Sequence, residues 1–350
     1  MKKNLLYAAG VALVMTACSQ APSTDYNVEY NATAENNGLT AYLMDYDDKD
    51  VKLDSTTIVD GKAVFNGTID AARIARLVIN GKPKATFVLE AGNISIDSLG
   101  TAAGAPLNDA FEAFNNASDS LRKEYMIVAA KAKNDTTLLA QLETIQNEYT
   151  ALEEATAAQN QGNPIGYYLF LQKAYQFDGA QLDSALAADS TLLQYKRVTK
   201  LVDAAKRKLA TSAGNQFTDF EITHEGNTQR LSDYVGKGDY AIVDFWASWC
   251  GPCMREAETL KEIYKKWGGK GLEIVGVAVW DEPANSLKAI DDKKLTWKHI
   301  INGQNLPTDL YGISGIPCIV VVDPQGMIIA RDVRGEDLKQ LIDEKLSEKK

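Results

Sequence analysis

Three patterns of apolar and polar positions succeed one another along the chain. Between residues 26 and 100 the apolar residues come in short β-branched or aromatic runs: "LTAYLMDYDD" (39–48), "KLDSTTIVDGKAVFNGTI" (52–69), "ARLVINGK" (75–82) and "TFVLEAGNISIDS" (86–98). Asp60-Gly61, Asn66-Gly67 and Asn80-Gly81 punctuate them, which predicts strands joined by tight turns and a small antiparallel β-sandwich. From 107 to 210 the spacing becomes helical and the composition shifts to Ala, Leu, Glu, Gln and Lys. "GNPIGYYLFLQKAYQ" (162–176) predicts a helix opening near Pro164, and "STLLQYKRVTKLVDAAKRKLA" (190–210) predicts another. The aromatic row Tyr167, Tyr168, Phe170, Tyr175 reads as the buried face of a helical hairpin.

After the linker "TSAGNQ" (211–216), strands and helices alternate. "YAIVDFWA" (240–247) is a continuous apolar run, as a central strand buried on both faces requires. A helix follows from about Cys250 to Trp267, then a strand in 271–280, a helix in 284–294, two strands in 318–323 and 327–333, and a closing amphipathic helix from Gly335. This alternation predicts a layered α/β domain. The expected organisation is therefore multidomain: a β-sandwich over 26–104, a helical region over 105–212 and an α/β domain over 213–350.

The first seventeen residues stand apart. Lys2 and Lys3 precede the apolar stretch "LLYAAGVALVM" (5–15), too short to span a bilayer comfortably, which runs into "TAC" at Cys18. This resembles a bacterial lipoprotein signal, which implies acylation of Cys18, a polar tether over 18–25, and a periplasm-facing, lipid-anchored protein of the cell envelope. Disulfides persist in that compartment. The chain has 350 residues and a net charge of −10, so a surface of this sign argues against nucleic acid as a partner. His224 and His299 are the only histidines and lie far apart, no His-x-x-x-His spacing occurs, and no metal or other cofactor is expected.

Candidate chemistry concentrates in "FWASWCGPCMRE" (245–256). A strand feeding a helix whose first turn carries Cys-x-x-Cys is a redox arrangement. Unpaired N–H groups and the positive end of the helix dipole favour a thiolate at Cys250, lowering its pKa from about 8.5 to roughly 7. Cys253, almost one turn on, is placed to close a disulfide with it. Gly251 permits close approach, and Pro252 needs no N–H partner in a first turn. Asp244 lies six residues before Cys250 inside an apolar run. Desolvation there raises its pKa, making it a proton acceptor for Cys253.

"VDFWASWCGPC" resembles the active-site segment of thioredoxin, and "GISGIPCIVVVD" (312–323) supplies Ile316-Pro317 where that fold carries a cis-proline facing the disulfide. The long stretch between helix and proline is similar to the insertion of the membrane-anchored, cytochrome-maturation type of thioredoxin-like protein, the TlpA/ResA-like group. The resemblance implies a thiol–disulfide oxidoreductase that reduces protein disulfides and draws electrons from an unidentified thiol donor. It implies catalytic roles for Cys250, Cys253, Asp244 and Pro317, and substrate contact at Trp249, Gly251, Pro252 and Ile316. An acidic residue of that insertion falls at Asp281 or Glu282. The blocks "DSTTIVDGKAVFNG", "FVLEAGNISI" and "GAPLND" resemble a domain of unknown function that precedes thioredoxin-like domains in secreted lipoproteins.

Two other functions compete. A peroxiredoxin-like peroxidase would need Pro and Thr seven and three residues before its reactive Cys, where this chain has Val243 and Ala247. A redox-regulated binding lipoprotein would use the N-terminal regions for recognition. Cys318 follows Pro317 directly where the family usually has Thr; with Val320 and Val322 on its face of the strand, it reads as a buried packing residue.

Overall fold

The computed structural model describes residues 24–347, so the signal segment and Cys18 lie outside the described residues. The chain divides into two compact units, one up to Leu169 and one from Phe170.

In the first unit, strands β1 (Asp25–Asn31), β2 (Thr40–Asp45), β3 (Lys52–Thr57), β4 (Lys62–Thr68), β5 (Arg73–Ile79), β6 (Lys82–Leu89), β7 (Gly92–Ile96) and β8 (Ala102–Ala103) form two four-stranded sheets, ordered β4-β1-β7-β8 and β3-β2-β5-β6. Alternation drives the burial. Tyr26, Val28 and Tyr30 of β1 and Leu77 and Ile79 of β5 point into one core with Phe65 and Phe87. The β5–β6 hairpin turns at Asn80 and Gly81, both with positive φ (50° and 70°), the geometry a two-residue type I′ turn demands. The sandwich stands as expected, with one difference: β1 pairs in parallel with β7.

Helices α1 (Pro106–Ala132) and α2 (Leu139–Gln159) follow, and α3 (Pro164–Ala174) runs across the division. The start of α1 is stitched to β6. Asn108, fully buried, accepts from Val88 N (3.0 Å), donates to Val88 O (2.6 Å), and gives its backbone N–H to Glu90 (2.9 Å). The aromatic row does not share one face. Tyr167 is buried and donates to Asp47 (2.7 Å), whereas Tyr175 is 59% exposed. Tyr175 lies just past the end of α3, in the turn that follows Ala174, so it does not share the face that buries Tyr167.

The second unit begins with α4 (Gly179–Ala188) and α5 (Lys196–Ala210), then a hairpin of β9 (Glu221–His224) and β10 (Asn227–Arg230). The α/β part comprises β11 (Tyr240–Trp246), α6 (Gly251–Trp267), β12 (Leu272–Ala278), α7 (Pro283–Lys293), β13 (Lys298–Ile300), α8 (Leu306–Tyr311), β14 (Cys318–Val322), β15 (Ile328–Arg331) and α9 (Gly335–Ser347). Its sheet runs β13-β12-β11-β14-β15, with β11, β12 and β13 mutually parallel and β14 antiparallel to β11. β11 is the central strand, which explains its unbroken apolar sequence. One face packs Ile242, Trp246, Ile319 and Val321 against Leu260 of α6 and Ile342 of α9. The other packs Val243, Phe245, Val320 and Val322 against Phe220, Leu231 and Tyr311.

Candidate active site

β11 ends at Trp246, and the short loop Ala247–Trp249 delivers Cys250 to the N-cap of α6 in an extended conformation (φ −81°, ψ 97°). The Cys253 backbone N–H donates to Cys250 Sγ at 3.1 Å, so a helix-terminal donor is spent on sulfur. Cys250 and Cys253 are joined in a disulfide, with Cα atoms 5.2 Å apart. Both are nearly buried, but Gly251, Pro252 and Trp249 beside them are exposed. Trp249 is 62% exposed and held by its indole N–H donating to Trp280 O at 2.8 Å. The Ile316-Pro317 bond is cis, Pro317 is buried, and the half-buried Ile316 places its carbonyl oxygen 3.8 Å from Cys250 Sγ. The fold thus brings together the residues the sequence separates by more than sixty positions.

Asp244 is 5% exposed. Its register partner on β14 is Ile319, which belongs to the same core cluster as Cys250 and Cys253, so the carboxyl faces the α6 side of the sheet. Oδ1 has no hydrogen-bond partner among the described residues. Burial, and then the charge of Glu256 one turn beyond Cys253, push its pKa up to about 7. Glu256 is fixed in place by Gly335 N–H, which donates to it at 2.8 Å.

Of the two acids in the insertion, Asp281 is buried and anchors the active-site loop. Its carboxylate accepts from Ser248 N (2.7 Å), Ser248 Oγ (3.0 Å) and Ser286 Oγ (2.8 Å). Ser248 stands two residues before Cys250, so this network sets the approach of the loop to α6. Glu282 is the N-cap residue of α7. Trp280, which holds Trp249, has φ +54°, a conformation uncommon for a bulky residue. Ser248, Ser286 and Trp280 carry no local signal: their roles exist only once β11 and β12 are paired.

Cys318 takes the opposite face. It packs with Phe245, Val320 and Val322, away from the cluster that holds the disulfide. It is a free, buried thiol whose S–H donates to Asp332 at 3.3 Å. Burial and then the Asp332 charge push it up to about 12.

The AhpC/TSA family model matches residues 213–331, and the domain of unknown function DUF4369 matches residues 26–111. The thiol-disulfide oxidoreductase ResA of Geobacillus thermodenitrificans is 34% identical over 137 residues, covering 38% of this chain and 78% of that protein. ResA of Geobacillus kaustophilus is 31% identical over the same shares of both chains. Among solved structures, the thioredoxin domain of a thiol-disulfide oxidoreductase from Bacteroides vulgatus aligns at 30% identity and TM-score 0.35, covering 39% of this chain and 98% of that one.

Proposed function

This chain belongs to the ResA-type family of thioredoxin-like thiol–disulfide oxidoreductases, and we propose that it acts as a protein-disulfide reductase of the cell envelope. The observation that carries the mechanism is the Cys250–Cys253 pair at the first turn of α6, above a buried Asp244.

In the reduced enzyme the Cys250 thiolate attacks a substrate disulfide. A Cys250–substrate disulfide forms, and the departing substrate sulfur leaves as a thiolate. Asp244 takes the proton from Cys253. The Cys253 thiolate then attacks Cys250 Sγ, the enzyme disulfide closes, and the second substrate sulfur is released. Two electrons pass from enzyme to substrate, and a thiol donor restores the dithiol. Exposed Trp249, Gly251 and Pro252, with the Ile316 carbonyl and Pro317, supply the surface against which an extended substrate segment lies. The Gly-Pro spacer accords with a reducing potential on the order of −270 mV. Peroxide chemistry is disfavoured because the positions that would require Pro and Thr hold fully buried Val243 and Ala247.

Reduction of insulin disulfides with a thiol donor tests the reading. Turnover is expected, and Cys250→Ser is expected to bring it to background; retained turnover in that variant would remove Cys250 from its role. Anchoring through Cys18 belongs to the same proposal. No helix among the described residues is long and apolar enough to cross a membrane. Cys18→Ala is expected to move the chain out of the membrane fraction, and unchanged fractionation and processing would refute the anchor.

A further inference from the structure

Gly276 on β12 pairs in register with Asp244 on one side and His299 on the other. In-register residues of neighbouring strands send their side chains to the same face, so Asp244 and His299 flank a position that has no side chain. The His299 ring lies over that gap. A Cβ on Gly276 would stand 2.5 Å from His299 Nδ1 and 2.9 Å from Trp246 Nε1. Trp246 is two residues beyond Asp244 on the same strand and therefore shares its face. Three buried polar atoms of this group have no partner among the described residues: Asp244 Oδ1, Trp246 Nε1 and His299 Nδ1.

Their hydrogen-bonding roles are fixed. The indole nitrogen only donates. His299 Nε2 lies 3.3 Å from Leu295 O, which only accepts, so the ring proton belongs on Nε2 and Nδ1 is an acceptor. Burial pushes the His299 pKa down to about 4, so the ring is neutral at physiological pH. One donor and two acceptors lie on the same face of the sheet around Gly276, a set that one water molecule can satisfy. Buried waters typically bridge about three such groups.

We propose that one buried water bonded to these three atoms makes His299 a positioning residue for the Asp244 proton acceptor. The water accepts from the Trp246 N–H and gives one hydrogen to His299 Nδ1, which leaves the other for Asp244 Oδ1. A hydrogen bond received by a carboxylate favours its charged form, so His299 keeps Asp244 more acidic than burial alone would leave it. Gly276 matters because any side chain there would collide with both nitrogens. The inference rests on the role assigned to Asp244 above.

The other titratable groups on the Asp244 face are Glu256 and Cys253 on α6; on the opposite face Cys318, beside Asp332 and Arg331, feels the Asp244 charge through the sheet. Around His299 stand the Trp246 and Trp297 rings, with Tyr264 behind Trp297. In the oxidised protein Cys253 does not titrate, and Cys318 stays a thiol.

The test is an NMR titration of the Asp244 side-chain carboxyl carbon in the oxidised full chain, with Asp244→Asn identifying the resonance. The wild-type midpoint is expected below the value of about 7 that burial and Glu256 give, yet above the ordinary carboxylate range. His299→Leu is expected to raise it by about one pH unit, a roughly tenfold loss of affinity for the charged form. His299→Asn, whose amide oxygen can stand where Nδ1 stands, is expected to stay within a few tenths of wild type. In the wild-type protein, ¹⁵N shifts are expected to place the His299 proton on Nε2; this reading needs no variant, should His299→Leu fail to fold. An unchanged midpoint in His299→Leu, a proton on Nδ1, or an Asp244 midpoint at ordinary carboxylate values would each overturn the inference. Insulin reduction by the same preparations separates this from the reductase reading: a wild type that turns over while His299→Leu leaves the midpoint unmoved refutes the positioning role alone.

Discussion

On the α6 face of the second unit's sheet, Cys250 receives a backbone N–H from the first turn of a helix. On the opposite face, Cys318 gives its S–H to a carboxylate and is otherwise surrounded by Phe245, Val320 and Val322. Burial does not separate them: Cys250, Cys253 and Cys318 are 4%, 2% and 2% exposed. The sign of the nearest partial charges does. Donors directed at a sulfur stabilise its thiolate, whereas an acceptor and a negative charge beside it hold the proton on. Access differs as well, since Trp249, Gly251 and Pro252 beside the pair face solvent while Cys318 lies within the core. What each sulfur faces and how open its surroundings are distinguish the two positions, and reactivity at Cys250 and inertness at Cys318 are expected from that difference.

The largest effect that would sharpen this contrast is in Cys253→Ser. Resolution is then impossible, and substrates are expected to accumulate as mixed disulfides on Cys250, visible on non-reducing gels and identified by mass spectrometry. A clean gel under conditions where the wild type turns over would break the two-step scheme.

Asp244→Asn comes next. Resolution at pH 7 is expected to slow by about 100-fold, the lower range for loss of a general base, while formation of the mixed disulfide is nearly unchanged. Rapid-quench kinetics of the two steps separate these outcomes, and equal slowing of both would point to a structural effect. The stability consequence has a definite sign. The Asp244 pKa is raised in the folded state to about 7, so the folded state binds this proton more tightly than the unfolded chain does. The associated stability is fully present below the unfolded carboxylate value near 4 and is lost as pH rises through about 7. Asp244→Asn, which cannot ionise, is therefore expected to exceed wild type by on the order of 2–4 kcal/mol at pH 8 and by little at pH 4. Urea unfolding at the two pH values measures this.

The smallest effect belongs to the inert side. Cys318→Ala is expected to cost about 0.5–1.5 kcal/mol and to leave insulin reduction nearly intact. A Cys250–Cys318 disulfide in peptide maps of the oxidised protein would break the contrast outright.

Legibility in the sequence followed the range of the interactions. β11 and α6 were plain because an eight-residue apolar run and a Cys-Gly-Pro-Cys turn are local patterns. The β9–β10 hairpin was not, because its strands are mostly polar and exposed and present no alternation to read. The short α4 and α8 carry too few turns for a period to emerge. The parallel β1–β7 pairing joins the two ends of the sandwich, where no turn signal connects them. Within the site, the cysteines and Asp244 fall within ten residues of one another and could be read together. The Ser248–Asp281 bond links positions 33 apart, and Gly276 gains its meaning only from strands that pair on both sides of it. The residue type of His299 says nothing of its surroundings: two indole rings and a glycine reach it entirely through register.

The contrast between the cysteines is tested most directly by alkylating the fully reduced protein with limiting iodoacetamide across pH 5–9 and mapping the label by mass spectrometry. Cys250 is expected to be modified first, with a midpoint below the ordinary thiol value of about 8.5, while Cys253 and Cys318 remain protected in the folded chain. Labelling of Cys318 or Cys253 ahead of Cys250, or a Cys250 midpoint at or above 8.5, would contradict the account.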